Sequence, residues 1–116
     1  MTFDEIREIA LSFPEVEEHI IFGGPTFKVR KRFLASMAKI DPENTLCLKM
    51  PDALERKFLL ETRPDVFYTS EHYENFGSIL VRLSALHPEE WRQLFEKAWL
   101  TYAPKRLVKD YRDGQS

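Results

Sequence analysis

Phe3, Ile6, Ile9, Ala10 and Phe13 recur at helical spacing, and Thr2-Phe3-Asp4-Glu5 ahead of them has the form of a capping box. Pro14 draws its predecessor out of the helical region, so a first helix is predicted over about residues 3–13. Glu15 to Glu18 reads as an acidic link and His19 to Phe22 as a short strand. Gly23-Gly24-Pro25 is a turn cluster. From Thr26 to Arg30 the pattern alternates, with Phe27 and Val29 on one face and Lys28 and Arg30 on the other. Lys31 and Arg32 are the expected tip of a hairpin whose second strand is Phe33 to Lys39. With neither Gly nor Asn there, a two-residue primed turn is disfavoured and a looser turn is expected.

Asp41-Pro42-Glu43-Asn44 is a strong turn signal. Leu46, Leu48 and Met50 then alternate with Cys47 and Lys49. Asp52 caps a second helix running to about Glu61, with Leu54, Phe58 and Leu59 as its apolar side. Val66 to Thr69 is strand-like, and Ser70 to Gly77 is a polar, aromatic loop containing His72, Tyr73 and Phe76. In Ser78 to Ser84, Ile79, Val81 and Leu83 oppose Leu80 and Arg82. His87-Pro88-Glu89-Glu90 opens a last helix whose buried stripe is Trp91, Leu94, Phe95, Ala98, Trp99 and Tyr102. Ala103-Pro104 ends it, with room for one more turn at 105–108.

The order is α-β4-α-β2-α. It predicts a two-layer α+β fold, an antiparallel sheet with helices packed on one face. The 116 residues make one domain, over 1–109, with a frayed tail at 110–116.

Net charge is −2, but the charges are segregated. Residues 1–20 hold six acids and one base, residues 21–50 six bases and two acids, residues 51–90 eight acids and four bases, and residues 91–116 six bases and three acids. That balance is wrong for a dedicated nucleic-acid coater, yet folding can join the two positive segments into a local basic surface. One cysteine, Cys47, excludes an internal disulfide and is expected to be a buried, inert thiol. The first residues lack a basic and apolar leader pattern, and no apolar run is long enough for a membrane span. A cytoplasmic protein is expected.

His19, His72 and His87 lack ligand spacing, so no metal and no cofactor is expected. Gly23-Gly24-Pro25 lacks the lysine of a phosphate loop. No acid, base and pocket converge in the sequence as an enzyme would require.

The candidate chemistry is basic. Lys28, Arg30, Lys31 and Arg32 put four cations in five positions, suited to phosphate contacts that carry no base information. Charge at such a tip also discourages edge-to-edge pairing. Lys28, Lys49 and Arg82 would form a basic stripe on the open sheet face if their strands are neighbours and no acids interleave. Lys105 and Arg106 are a secondary candidate, with Lys109 and Arg112 beyond them; cations there also suit the end of the last helix.

The helix–turn opening, Pro25-Thr26-Phe27-Lys28-Val29, Phe33-Leu34-Ala35, Leu46-Cys47-Leu48-Lys49, Val81-Arg82-Leu83, Ala98-Trp99 and Ala103-Pro104-Lys105-Arg106 together resemble the MmcQ/YjbR family over about residues 2–107. The resemblance implies a compact α+β fold likened to CyaY and to secretion-chaperone domains, and a role in DNA binding through hairpin wings. Ser78 departs from the family, which often has Trp before the arginine-bearing strand. The expected function is a non-catalytic module that binds DNA weakly and with sequence tolerance. The alternative is a protein-interaction module, for which Leu80 hints at an exposed apolar patch.

Overall fold

The computed structural model describes residues 1–21, 23–38, 41, 44–70 and 77–114. Helix α1 (Phe3–Leu11) starts at the expected capping box, with the Glu5 amide donating to Thr2 Oγ1 and the Thr2 amide donating to Glu5 Oε1. Strands β1 (Val16–Ile21), β2 (Gly24–Val29), β3 (Arg32–Met37) and β4 (Thr45–Lys49) follow. Next come α2 (Ala53–Thr62), β5 (Phe67–Tyr68), β6 (Ser78–Arg82), α3 (Pro88–Tyr102) and α4 (Lys105–Asp113). The six strands form one antiparallel sheet in the order β1-β2-β3-β4-β6-β5. The chain therefore has the α+β architecture predicted for it.

Alternation decides the layers. Phe27, Val29, Leu46, Leu48, Ile79, Val81 and Phe67 face the helices and join Ile6, Ala10, Trp91, Phe95 and Trp99 in the main core. Two indoles tie α3 to the N-terminal segment. Trp91 Nε1 donates to the Ile6 carbonyl at 3.3 Å and Trp99 Nε1 to the Pro14 carbonyl at 3.0 Å. On the opposite face Ala38, Cys47 and Leu80 form a second, smaller cluster, with Phe33 and Tyr68 packed against it.

The register of β2 against β3 jumps, with Phe27 opposite Ala35 but Lys28 opposite Phe33. Leu34 is thus the extra residue of a β-bulge. Leu34 and Ala35 both join the helix-side core, and Phe33 returns to the other face.

Several expectations need correction. The acidic link at 15–18 is mostly strand, since Val16 is buried and Glu17 and Glu18 pair with Lys28 and Phe27. Gly24 and Pro25 belong to β2 and not to the turn. Strand β6 ends at Arg82, and Leu83–Ala85 is a single 3₁₀ turn. On α2, Leu59 is the buried residue, while Leu54 and Phe58 are 79% and 60% exposed. The tail boundary set at 110 falls inside α4, where Tyr111 packs on Trp99 at 4.8 Å between ring centroids and donates to Glu96 Oε2 at 2.5 Å. His72, Tyr73 and Phe76 of the expected loop lie outside the described residues.

Candidate nucleic-acid interface

The tip of the β2–β3 hairpin is Arg30-Lys31, one position earlier than expected. Val29 pairs with Arg32 across it, so the loop is two residues long. Arg30 and Lys31 have φ of 48° and 70°. Positive φ at both central residues is the type I′ pattern, whose low-energy occupants are Asn-Gly. The disfavoured turn is therefore the one that forms, with two long cationic side chains in left-handed conformations that cost about 1–2 kcal/mol each.

Glu15 secures this turn. Its carboxylate accepts from Arg30 Nε at 2.5 Å and Nη2 at 3.0 Å, a two-pronged ion pair that joins the end of the α1–β1 connection to the hairpin tip. The hydrogen bonds from Arg30 hold the Glu15 carboxyl below its ordinary value, and those to Glu15 raise Arg30. Glu15 is itself left-handed, with φ of 57°. Three of the four non-glycine residues with positive φ among the described residues thus meet at one point. Lys31 and Arg32 are exposed and form no ion pair among the described residues. Nothing in the sequence singled out Glu15; its only signal was its place after Pro14.

The expected stripe of Lys28, Lys49 and Arg82 is not one row. Arg82 sits beside Thr45 and Lys49 beside Ser78, at opposite ends of the β4–β6 ladder. Four residue steps along a strand separate them by roughly 13 Å. The Arg82 guanidinium stacks on the Tyr68 ring at 4.1 Å and donates to the carbonyls of Pro64 and Asp65 at 3.0 and 3.4 Å. Lys49 Nζ lies 6.0 Å from the centre of the Tyr102 ring. The middle of this face is apolar: Leu80, expected to mark an exposed patch, is fully buried beside Cys47.

Burial pushes the Cys47 thiol up, while a hydrogen bond with Ser78 and the charge of Lys49 pull the other way. Cys47 is therefore expected to resist an aromatic disulfide reagent in the native protein and to react at once in denaturant. Rapid native labelling would contradict that placement.

Lys105 and Arg106 occupy the first turn of α4 and are exposed. The other three helices carry acids in their first turns, where the macrodipole favours them. Helix α4 has none and begins with two cations. Its inner face, Leu107, Val108 and Tyr111, packs on the main core, leaving Lys109 and Arg112 exposed with them.

Folding brings this helix to the end of the molecule that holds the hairpin tip. Phe13 lies 5.8 Å from Tyr111, Pro14 accepts from Trp99, and Glu15 grips Arg30. Residues 13–15 are the bridge between the two basic segments. Beside the tip, Glu17, His19, Ile20, Ile21, Lys28, Arg30 and Lys31 line a shallow groove of about 370 Å³. Among the described residues, no cluster of His, Cys, Asp or Glu could hold a metal, and no helix is long and apolar enough to cross a membrane.

These features define a small α+β domain with a charged hairpin wing on an antiparallel sheet. The YjbR family model matches residues 11–101, and the chain belongs to that family. Uncharacterised proteins of Mycobacterium bovis and Mycobacterium tuberculosis are 34% identical over 53 residues, covering 46% of this chain and 41% of theirs. The match thus spans less than half the length of those relatives. The crystal structure of a Deinococcus radiodurans protein with the DUF419 domain superposes with a TM-score of 0.75 at 22% identity, over 97% of this chain and 86% of that one. That likeness speaks to the fold alone.

Proposed function

We propose that this protein is a non-catalytic binding module that grips the phosphate backbone of nucleic acid with the Arg30–Lys31 tip and Arg32, Lys28 and the basic face of α4 serving as further contacts. One observation carries the reading. Two cations occupy the two left-handed positions of a tight hairpin turn, where Asn-Gly would relieve strain. Strained backbone that the surroundings hold in place concentrates at functional sites. The cations at the first turn of α4 break a local rule in the same direction.

Contacts of this kind are sequence-tolerant, with dissociation constants of ~10⁻⁴–10⁻⁶ M at physiological salt. Lys49 and Arg82, engaged elsewhere on the sheet, have at most a peripheral part.

Fluorescence anisotropy of labelled DNA at about 50 and about 200 mM salt tests this. Lys31→Ala and Arg32→Ala are expected to weaken binding and each to lower the logarithmic salt slope by about one. Absence of binding at low salt would overturn the proposal. It would leave a protein-interaction module, for which the exposed Leu54 and Phe58, one turn apart on α2, are the relevant surface.

A further inference from the structure

We infer that the outer edge of β1 pairs with the same edge of a second copy of this chain, forming a two-fold dimer in which Glu18 lies opposite itself and the two sheets become one. The inference stands apart from the nucleic-acid reading. Strand β1 is outermost, and among the described residues β2 is its only neighbour in the sheet. Its other side leaves a row of backbone donors and acceptors open, the template for strand addition.

Charge on an edge ordinarily discourages such pairing, and β1 carries Glu17, Glu18 and His19. One register turns those charges into complements. Side chains directly opposite in an antiparallel pair share a face, and a two-fold axis sets one residue against itself. Centred on His19, the pairing would set Glu17 against Ile21 and Glu18 against Ile20, carboxylates on apolar side chains. Centred on Glu18, it sets Val16 against Ile20 on the helix side and Glu17 against His19 on the other, each twice. The Glu18 carboxylates that meet at the axis are each held already by Arg7, through Nε at 2.7 Å and Nη2 at 3.0 Å. The axis therefore carries two anions and two cations.

The same register gives a role to two exposed apolar side chains, Ile20 at 69% and Leu11 at 42%. Ile20 shares the helix side of β1 with Val16 and Glu18. Leu11 lies one turn beyond Arg7 on the same flank of α1, toward the Val16 end of β1. An axis at Glu18 brings each copy's Ile20 to the other's Val16, and so beside the other's Leu11.

Sedimentation velocity over a rising concentration series is expected to show wild type moving toward twice its 13.7 kDa mass. Ile20→Lys, which sets a cation against Val16 at both symmetric positions, is expected to raise the dimer dissociation constant at least about tenfold. Two cysteine variants read the register. Opposite residues have Cα atoms ~4.5–5.5 Å apart, within reach of a disulfide, whereas diagonal ones lie ~7–8 Å apart and beyond it. Glu18→Cys should therefore cross-link to a dimer under mild oxidation and His19→Cys should not, the native Cys47 being buried. Circular dichroism checks that all three variants keep the native fold. Wild type that stays at single-chain mass throughout the series overturns the inference. So does a dimer that Ile20→Lys leaves intact, or cross-linking of His19→Cys in preference to Glu18→Cys.

Discussion

Replacing Trp99 with alanine is expected to destabilise the fold by about 3–5 kcal/mol, the range for truncating a large buried aromatic. The side chain is fully buried, and its ring lies 6.0 Å from Phe13 and 4.8 Å from Tyr111. Removing it leaves a cavity at the junction of α3, α4 and the α1–β1 connection. It also removes the donor to the Pro14 carbonyl. Against a total stability of about 5–15 kcal/mol, such a loss leaves a marginal or unfolded protein. Urea denaturation followed by circular dichroism should show a midpoint lower by at least about 1 M. Trp99→Phe keeps most of the buried area and loses the N–H, so about 1–3 kcal/mol is expected from the unpartnered carbonyl. That variant separates stability from function. It should still fold, yet it loosens the 13–15 bridge and with it the Glu15 hold on Arg30. On the proposed reading its DNA affinity should fall, although Trp99 lies outside the proposed contacts. A cost below about 1.5 kcal/mol for Trp99→Ala would mean that the junction can collapse onto the space.

That junction also marks the boundary of what could be read without coordinates. Alternation placed Leu46, Leu48, Ile79 and Val81 toward the helices and Cys47 and Leu80 away from them, because the side-chain period of a strand is fixed by backbone geometry. It could not place residues along the strand direction. Lys49 and Arg82 share a face by parity, but the β4–β6 register puts them at opposite ends. Register is a pairing property and has no local signal here. Glu17 and Glu18 hide only the first half of strand β1, whose His19–Ile21 portion reads as strand; the two acids are tolerated on an outermost strand once Val16 is buried and β2 lies alongside.

The Asp52 cap and the extent of α2 are legible in the sequence, but its buried face is not, because Leu54, Phe58, Leu59 and Leu60 allow two faces about 100° apart, and tertiary packing selects Leu59 over Leu54 and Phe58. The hairpin tip failed for a different reason. Propensity argues against Arg-Lys in a type I′ turn, and that argument is physically sound; the local cost is real, and the chain accepts it.

Exchanging Arg30-Lys31 for Asn-Gly is accordingly expected to stabilise the fold while weakening nucleic-acid binding. Asn and Gly occupy left-handed backbone at little cost, so relief of about 1–2 kcal/mol at each of two positions, less the extra chain entropy that Gly loses on folding, favours the folded state by about 1–3 kcal/mol. The lost Glu15–Arg30 pair offsets little of this, since both side chains are solvent-exposed and screened. The sign of its pH dependence is defined. Glu15 is held below the ordinary carboxylate value by Arg30. Its contribution to wild-type stability is therefore present above the unfolded pKa and lost as pH falls through the lowered folded value. The exchanged protein lacks that contribution at every pH, so its advantage over wild type should widen on acidification. Binding should move the other way. On the proposed reading, removal of Lys31, unpaired among the described residues, with Arg30 already paired to Glu15, lowers the salt slope by about one and weakens binding at low salt. Thermal melts at neutral and acidic pH, run beside anisotropy titrations, test both halves. A higher melting temperature with unchanged affinity would show the cations to be incidental to binding. A lower melting temperature would show that the Glu15–Arg30 fork outweighs the strain of the turn it closes.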